Sequence, residues 1–333
     1  MRSSGLECME ILLMTDRKNS QPSICLIFPC HNEEEVLPDL IKVLTSLDLG
    51  IPMRVLFIDD GSCDDTLNIL KKACRSDDRM ACISLSRNFG HQVAVGAGLK
   101  HGKGDLVAVL DSDLQDPPEL LKQFISQWRE GYDVVYGIRT NRKESWFLRA
   151  CYSSFYRLLD RTSNIQIPRD AGDFALMDRK VVDVLNSLPE HRQFIRGLRG
   201  WVGFKQIGTK YARPARHAGK PSYNMKRLTR LALDGLLSFS SAPLRISTWL
   251  GVGAAFLGFC YLAYALIVFM SGKDIPQGWT STVVLILFLG GIQLIVLGIL
   301  GEYLGRIFEE VKGRPHYVIN ESAGWVSDSD HQD

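Results

Sequence analysis

The sequence predicts an α/β domain with a mostly parallel sheet, followed by two long apolar helices. Between residues 23 and about 140, short apolar runs alternate with helical patterns, and this rhythm is typical of βαβ units. Residues 246–272 and 275–301 contain no charged side chain. Each run exceeds the roughly 20 apolar residues that cross a bilayer core, so both are predicted to be transmembrane helices. The alternative is a pair of buried helices in a soluble domain, although such helices usually keep a polar face.

The apolar runs predict five strands, and a helical pattern follows each of the first four. The strands are SICLIFP, RVLFIDD, ACISLS, DLVAVLDSD and YDVVYGIR, and the helices begin at about Glu34 and Asp65 or cover HQVAVGAGLKHG and PPELLKQFISQWREG. Ligands of parallel sheets bind at the carboxyl ends of the strands. The functional site is therefore expected among the polar residues at those ends, which are Pro29–Glu33, Asp59–Ser62, Arg87–Gly90 and Asp111–Asp113.

Basic residues flank the two apolar runs on their outer sides. They are Lys226, Arg227, Arg230 and Arg245 before the first run, and Arg306, Lys312 and Arg314 after the second. The connection between the runs offers only Lys273 beside Asp274. Since basic flanks face the cytoplasm, we expect an integral protein of the inner (plasma) membrane, with its large polar domain and both termini in the cytoplasm.

The N-terminal stretch and the cysteines agree with this placement. Residues 1–21 contain no long apolar region and no small-residue cleavage site, so they do not predict a signal peptide. The eight cysteines are scattered and form no CxxC pair, as expected for reduced thiols in the cytoplasm.

Residues 225–239 predict a basic amphipathic helix directly before the first apolar run. Such a helix lies in the headgroup layer, unless it is an ordinary surface helix packed on the domain. The predicted organisation is a mobile tail over 1–22, an α/β domain over 23–224, an interfacial helix over 225–245, a transmembrane hairpin over 246–304 with spans of about 246–270 and 279–301, and a cytoplasmic segment over 305–333.

The segment VLDSDLQDPPE, residues 109–119, places several acids at the end of an apolar strand. Two carboxylates on one short loop repel each other, so they favour a bound cation. Oxygen ligands from Asp111, Asp113 and Gln115 suit Mg²⁺ or Mn²⁺ rather than zinc, and the seven histidines show no zinc spacing. The alternative is a turn in which an aspartate caps the next helix. Since no GxxxxGK[ST] loop is present, the pattern argues against an ATPase.

Eight segments in order carry a resemblance. They are FPCHNEEEVLPDLI, FIDDGSCDDT, LSRNFGHQVAVGAGL, DSDLQDPPE, GIRTNRKESWFLR, DAGDFALMDR, ARHAGKPSY and LGEYLGRIFEEVKGRPHY. The set resembles the family 2 glycosyltransferases, which have the GT-A nucleotide-sugar fold. Within them it is most similar to the polyprenyl-phosphate group, which includes dolichyl-phosphate mannose synthase and the bacterial enzymes that load glucose or aminoarabinose onto undecaprenyl phosphate. The resemblance extends from Ser23 to Val318.

The resemblance implies a donor site and a metal site. Pro29, His31 and Glu33 match the nucleotide-binding position, although the family often has Tyr in place of His31. Asp60, with Asp59 beside it, would accept hydrogen bonds from uracil, and Arg87 would contact the base or the phosphates. The metal on the diphosphate, Mg²⁺ or Mn²⁺, would be bound by Asp111, Asp113 and Gln115.

The resemblance also implies an acceptor site and a reacting centre. The family positions for the acceptor phosphate match Arg139, Arg149, Ser153 and Arg216. Asp170 and Asp173 match a carboxylate beside the reacting centre: one would orient the sugar or take a proton, the other would cap the following helix, and the choice stays open. Two departures from the family pattern are the shifted lysine, Lys220, and Ala175 in place of a common arginine.

The predicted function is transfer of one sugar, glucose by preference, from a UDP-sugar to undecaprenyl phosphate at the cytoplasmic face. The reaction would be metal-dependent and inverting, by direct displacement. The alternatives are an aminoarabinose-type transferase, a processive polysaccharide synthase, which lacks support because no QxxRW segment is present, and a membrane-bound scaffold without activity. The predicted partners are the donor, the lipid and the membrane, without nucleic acid. The family further implies a homo-oligomer, commonly a tetramer.

Overall fold

The structure, a computed structural model, describes residues 21–139, 171–190, 195–211, 242–271 and 278–326. The chain divides into two compact units. The first, here called the sheet unit, comprises residues 1–149, 165–222 and 314–333, and the second, the helical unit, comprises 150–164 and 223–313.

The described part of the sheet unit contains eight strands and six α-helices. The strands are β1 (Ile24–Cys30), β2 (Met53–Asp59), β3 (Met80–Leu85), β4 (Leu106–Val109), β5 (Val134–Arg139), β6 (Ala171–Asp178), β7 (Gln206–Tyr211) and β8 (Ile319–Gly324). The helices are α1 (Leu37–Ser46), α2 (Thr66–Ser76), α3 (His91–His101), α4 (Leu121–Arg129), α5 (Arg179–Ser187) and α6 (Ile195–Trp201).

The eight strands form one sheet in the order β7-β5-β6-β4-β1-β2-β3-β8. The neighbours β4-β1, β1-β2, β2-β3 and β5-β7 are parallel. Strand β6 runs antiparallel to both β4 and β5, and β8 runs antiparallel to β3. The predicted mostly parallel sheet is thus confirmed, with antiparallel pairing confined to these two strands.

Helices cover both faces of the sheet, and this explains why all seven residues of β1 are buried. Leu26 and Phe28 lie in the core beneath α1, α2 and α4. On the opposite face, α3 packs directly on β1: a Cβ at Gly98 would overlap the Ile27 side chain. The close approach of this helix therefore depends on a glycine.

Two predicted boundaries shift for local reasons. Helix α1 begins at Leu37 rather than at about Glu34, because the backbone N–H groups of Glu33 and Glu34 donate to Thr66 Oγ1 and Asp64 Oδ2 in the next loop. Strand β4 ends at Val109, so the whole Asp111–Asp113 segment belongs to the loop after it.

The strand β8 has no counterpart in the sequence prediction, which gives residues 305–333 only as a cytoplasmic C-terminal segment. It completes the edge of the sheet beside β3. Side chains secure it: Lys71 pairs with Glu321 at 2.5 Å, and Trp325 Nε1 donates to the Arg79 carbonyl at 3.0 Å. The chain therefore returns to the sheet unit after its apolar helices.

The described part of the helical unit contains two long helices, α7 (Ala242–Met270) and α8 (Trp279–Val311). By length and composition, one described stretch, Val284–Val311, could cross a membrane, with a mean hydropathy of 2.6 over its 18-residue apolar window. The apolar stretch Ser247–Tyr261 is shorter. Helix α8 continues beyond residue 301, where the predicted second span ends. The predicted interfacial helix over 225–245 lies outside the described residues except for its last four.

Candidate functional site

Four polar loops meet at the carboxyl edge of the parallel strands β1 to β4. They follow directly after Cys30, Asp59, Leu85 and Val109. The strand register brings Asp59 level with Cys30 on one side and with Ser84 on the other. The structure therefore assembles three of the four predicted loop clusters around the end of β2, with the fourth beyond β1.

Reciprocal hydrogen bonds lock the loops after β1 and β2 together. Asn32, in the left-handed backbone region with φ 56°, donates its N–H to Ser62 Oγ at 3.0 Å and accepts from the Cys63 N–H at 2.9 Å. Glu34 Oε2 accepts from the Asp65 N–H at 2.9 Å. Such locking offsets the strain of a non-glycine residue at positive φ. It leaves the neighbouring His31 exposed.

The two aspartates at the end of β2 face protein donors rather than solvent. Asp59 accepts from Ser84 Oγ at 2.7 Å and from the Ser62 N–H at 3.1 Å. Asp60 accepts from the Phe89 N–H at 2.7 Å and from the Gly90 N–H at 2.9 Å, one on each oxygen. These carboxylates therefore fix the loops, and a ligand N–H would add a further bond to an oxygen that is already an acceptor.

The loop after β3 lies tightly against the loop after β2. Gly61 has φ +63°, and a Cβ there would overlap the backbone of Arg87 and Asn88. The Arg87 guanidinium lies 3.9 Å from the centre of the Phe89 ring and donates to the Asn88 carbonyl at 3.0 Å. Arg87 is exposed, so this stacked cation remains accessible to an anionic or aromatic ligand.

The acidic loop after β4 contains a second strained residue, Leu114, with φ 57°. The Gln115 N–H donates to Asp113 Oδ1 at 3.1 Å, and the hydroxyl of Tyr211 on β7 donates to the buried Asp116. Among the described residues, the non-glycine residues with positive φ are Asn32 and Leu114. Both lie in loops of the candidate site, and such backbone strain is common at functional sites.

The donor set of this loop fits a hard cation. Burial, and then the negative charge of Asp116, raises the pKa of Asp111; a bound cation would relieve that excess of negative charge. Asp111 and Asp113 are both partly exposed, whereas Gln115 is buried. Within the described residues, no group of three or more His, Cys, Asp or Glu side chains is arranged to hold a metal ion. The candidate set is instead two carboxylates and an amide.

A charged network extends from this loop across α3 to β6 and α6. Asp173 on β6 accepts from Arg196 Nε at 2.6 Å and from Nη2 at 2.7 Å. His91 Nε2 lies 3.3 Å from Asp173 Oδ2 and 3.9 Å from Asp111 Oδ1. Gln92 donates to Asp173 at 3.4 Å and accepts from the Ile195 N–H at 3.1 Å. The network thus connects the candidate metal loop to a bidentate ion pair.

The electrostatics of this network keep Asp173 ionised. Burial would raise the pKa of Asp173, but the hydrogen bonds from Arg196 and His91 outweigh burial and bring that pKa well below its usual range. For His91, burial lowers the pKa, but the bond to Asp173 and the negative charges of Asp173 and Asp111 together outweigh burial and raise the pKa. A carboxylate with so low a pKa is a weak proton acceptor. Asp173 does not cap helix α5 either, because Asp178 does so by accepting from the Lys180 N–H.

Several predicted residues lie outside the described chain. They are Asp170, Arg149, Ser153 and Arg216, and of Arg139 only the backbone, at the end of β5, is described. Ala175 is buried in β6 between Val109 and Tyr136.

His91, Gln92 and Arg196 were not singled out from the sequence. The arginine belongs to RGLRGW, which resembles QxxRW only superficially. The sequence offered one signal for Arg196: it is followed three residues later by a second arginine, on a short and otherwise apolar segment.

Comparison with known proteins adds two regions of similarity. The glycosyl transferase family 2 profile matches residues 25–185, and the GtrB C-terminal hairpin profile matches residues 242–307. An uncharacterized glycosyltransferase of Bacillus subtilis, YkcC, is 41% identical over 90% of this chain and 94% of its own length. The SfII prophage-derived bactoprenol glucosyl transferase of Shigella flexneri is 40% identical over 90% of this chain and 98% of its own length.

Two solved structures are more distant. The Pyrobaculum calidifontis mannosyltransferase PcManGT, in complex with GDP-Man and Mn²⁺, has a TM-score of 0.48 and 15% identity, and covers 89% of this chain and 94% of its own. The Mycobacterium tuberculosis glucosyl-3-phosphoglycerate synthase, with Mn²⁺ and UDP-glucose, has a TM-score of 0.46 and 19% identity over 68% and 82% of the two chains.

Proposed function

Because this chain belongs to glycosyl transferase family 2 and is a glycosyltransferase, we propose that it transfers one sugar from a UDP-sugar to a polyprenyl phosphate. The observation that carries this proposal is similarity along almost the whole chain, hairpin included, to relatives named bactoprenol glucosyl transferase. Those relatives also favour glucose as the sugar and undecaprenyl phosphate as the acceptor.

The loops after β1, β2 and β3 would bind the nucleotide. Buried Pro29, Asp59 and Asp60 form the rigid floor of this region, while His31 and Arg87 are exposed at its surface. An Asp60 oxygen would accept a uracil N–H in addition to its backbone donor. Arg87, already stacked on an aromatic ring, would contact the base or the phosphates; Glu33 completes the nucleotide-binding set.

The acidic loop would bind the metal through Asp111, Asp113 and Gln115. A Mg²⁺ or Mn²⁺ ion there supplies Lewis-acid neutralisation of the charge on the departing diphosphate. The chain's own contribution is to keep the loop in place. The bond from Tyr211 to Asp116 ties the end of the loop to β7, and the Gln115 N–H orients the Asp113 carboxylate.

The acceptor needs orientation more than activation. A phosphate monoester is already a competent nucleophile near neutral pH, so a strong general base is unnecessary, in agreement with the lowered pKa of Asp173. Arginines bind phosphate oxygens through paired hydrogen bonds. We assign the acceptor phosphate to Arg139, Arg149, Ser153 and Arg216. The reaction would proceed by direct displacement with inversion, and Asp170 would lie beside the reacting centre.

The helices α7 and α8 would form a hairpin across the inner membrane, with the sheet unit on the cytoplasmic side. The apolar character of α8 supports one span, and the hairpin similarity supports the pair. Membrane anchoring would keep the acceptor site near the depth of the lipid phosphate. The active form would be a homo-oligomer, with a tetramer as the leading candidate.

A transfer assay tests this proposal. Membranes containing the full chain are incubated with undecaprenyl phosphate, Mn²⁺ and a panel of radiolabelled UDP-sugars, beside Asp111→Asn and the exposed control Asp39→Asn. We expect label from UDP-glucose to enter the organic phase with the wild type and the control only. Transfer from another UDP-sugar would correct the donor, and no transfer from any donor despite measurable UDP binding would refute the proposed reaction.

A further inference from the structure

Helix α6 carries two arginines one turn apart, but the neighbouring carboxylate bonds to only one of them. Arg196 gives Nε and Nη2 to Asp173. Arg199 is 2% exposed, and within the described parts of the chain its Nε and Nη2 have no hydrogen-bond partner. A buried guanidinium with two unbonded donor nitrogens is unusual, because arginine is almost never fully buried unless it is paired.

The Arg199 side chain lies over one aromatic ring. Its guanidinium carbon lies 4.9 Å from the centre of the Tyr136 ring. Burial lowers the pKa of Arg199 to about 10, against a raising effect of Asp173, so the group is a cation at neutral pH. Stacking on a ring face satisfies the flat side of a guanidinium and leaves its in-plane N–H donors for oxygen ligands.

The position of this cation connects it to the candidate site. Asp173 and Arg196 both act electrostatically on Arg199, and Asp173 is joined to Asp111 through His91. An uncompensated charge costs stability when it is buried. A buried cation kept beside a reaction site is therefore more useful for binding an anion than for stabilising the fold.

We propose that Arg199 is a phosphate-binding residue of the transfer reaction, whose buried N–H donors bind a phosphate oxygen of a substrate. The proposal rests on the proposed function, which offers two sources of that chemistry: the donor diphosphate and the acceptor phosphate. Guanidinium groups match the oxygen spacing of phosphate. A donor fixed in advance in a dry environment also binds charge more strongly than one in water.

The test uses Arg199→Met in the purified, detergent-solubilised full chain. A second variant, Arg199→Lys, keeps the positive charge but loses the planar guanidinium group and its paired N–H donors. The matched control is Arg129→Met on α4, because the Nε of Arg129 also lacks a partner among the described residues, on a helix that packs on the opposite face of the sheet. The thermal midpoint is measured without ligand, with inorganic phosphate and with inorganic pyrophosphate. The KM is measured for UDP-glucose and for a short-chain polyprenyl phosphate.

We expect Arg199→Met to leave the ligand-free midpoint unchanged or higher, and to abolish the rise caused by phosphate or pyrophosphate. The KM for one phosphate-bearing substrate should rise about 10-fold to 100-fold, the loss typical of a charge-assisted hydrogen bond, with a much smaller change in kcat. Arg199→Lys should fall between the wild type and Arg199→Met. A KM effect confined to UDP-glucose would assign the donor diphosphate, and one confined to the lipid would assign the acceptor phosphate.

The opposite pattern overturns the proposal. If Arg199→Met lowers the ligand-free midpoint and leaves both the anion response and both KM values unchanged, Arg199 is a structural residue. The thermal measurements do not depend on turnover. Suppose that the wild type transfers no sugar, and that pyrophosphate raises the thermal midpoint of the wild type but not that of Arg199→Met. The anion site then stands and the proposed reaction is wrong.

Discussion

The ion pair between Asp173 and Arg196 makes a quantitative prediction for Asp173→Asn. The carboxylate accepts two short bonds from Arg196, at 2.6 and 2.7 Å, and lies 3.3 Å from His91. Asparagine keeps one acceptor oxygen but turns an N–H₂ group towards a guanidinium N–H, and it removes the negative charge from every remaining contact.

The magnitude follows from these contacts. Each charge-assisted hydrogen bond contributes about 1.5–3 kcal/mol. Asp173 is 8% exposed, but the Arg196 side chain is 34% exposed, so solvent screening favours the lower end of that range. Loss of one Arg196 bond, and of the negative charge that strengthens the other, should therefore destabilise the fold by about 3 kcal/mol. At roughly 2–4 °C per kcal/mol for a unit of this size, the thermal midpoint should fall by about 6–12 °C.

A double-mutant cycle provides the assay. The thermal midpoints of Asp173→Asn, Arg196→Met and the double variant are measured in detergent with the full chain, and the two single effects should not add. The control is Asp183→Asn, since Asp183 is 64% exposed and lies 3.8 Å from Arg179; its effect should stay below about 1 kcal/mol. Single effects that add to within about 0.5 kcal/mol would refute the assigned ion pair.

Three further predictions concern the metal loop, the helix contact and the acid limit of stability. Asp113→Asn should remove Mn²⁺-dependent transfer while changing the free energy of unfolding by no more than about 1 kcal/mol, and retained transfer in the same assay would contradict its role as a ligand. Gly98→Ala should destabilise by about 1–3 kcal/mol in thermal unfolding, because its Cβ would overlap Ile27, and Ile27→Leu, which lacks the overlapping methyl, should restore part of the loss; no rescue would argue against this contact. Hydrogen bonds from the Ser23 N–H and hydroxyl lower the pKa of Asp105, so their stabilisation is present above the unfolded pKa of about 3.9 and is lost as pH falls through the folded value. Ser23→Ala should therefore lower the midpoint more at pH 6 than at pH 2, where the bond from the Asp105 N–H to Ser23 Oγ is still lost. A difference that does not depend on pH would contradict this assignment.

Local patterns account for the parts of the fold that the sequence predicted. Strands β1 to β4 are short apolar runs that end in polar residues, and the period of the intervening segments changes to that of a helix. Because parallel strands align their carboxyl ends, the predicted residues Asp60 and Asp111 lie in loops at the same edge of the sheet. The family assignment, and with it the GT-A fold, is confirmed by the family profile and by relatives of 40% and 41% identity.

Strand β8 and the ion pair between Asp173 and Arg196 could not be predicted from the sequence, because both depend on pairing between distant parts of the chain. Strand β8, INESAG, has almost no apolar alternation, because an edge strand is held by backbone hydrogen bonds and a few side-chain contacts rather than by a buried face. The partnership of Asp173 with Arg196 joins residues on β6 and α6, and no spacing rule connects them. The family resemblance made Asp173 one of two candidates for the reacting-centre carboxylate, and its ion pair with Arg196 became visible only in the structure.

The last strand also imposes an order on biosynthesis. Strand β3 lies between β2 and β8, and β8 is translated only after both apolar helices. Until then, the outer edge of β3 exposes unpaired backbone groups, which readily pair with other chains. The sheet unit can therefore complete this edge only after both apolar helices and the C-terminal strand have been translated. A chain that ends after α8 would keep every predicted catalytic residue and still carry a permanently open, aggregation-prone sheet edge.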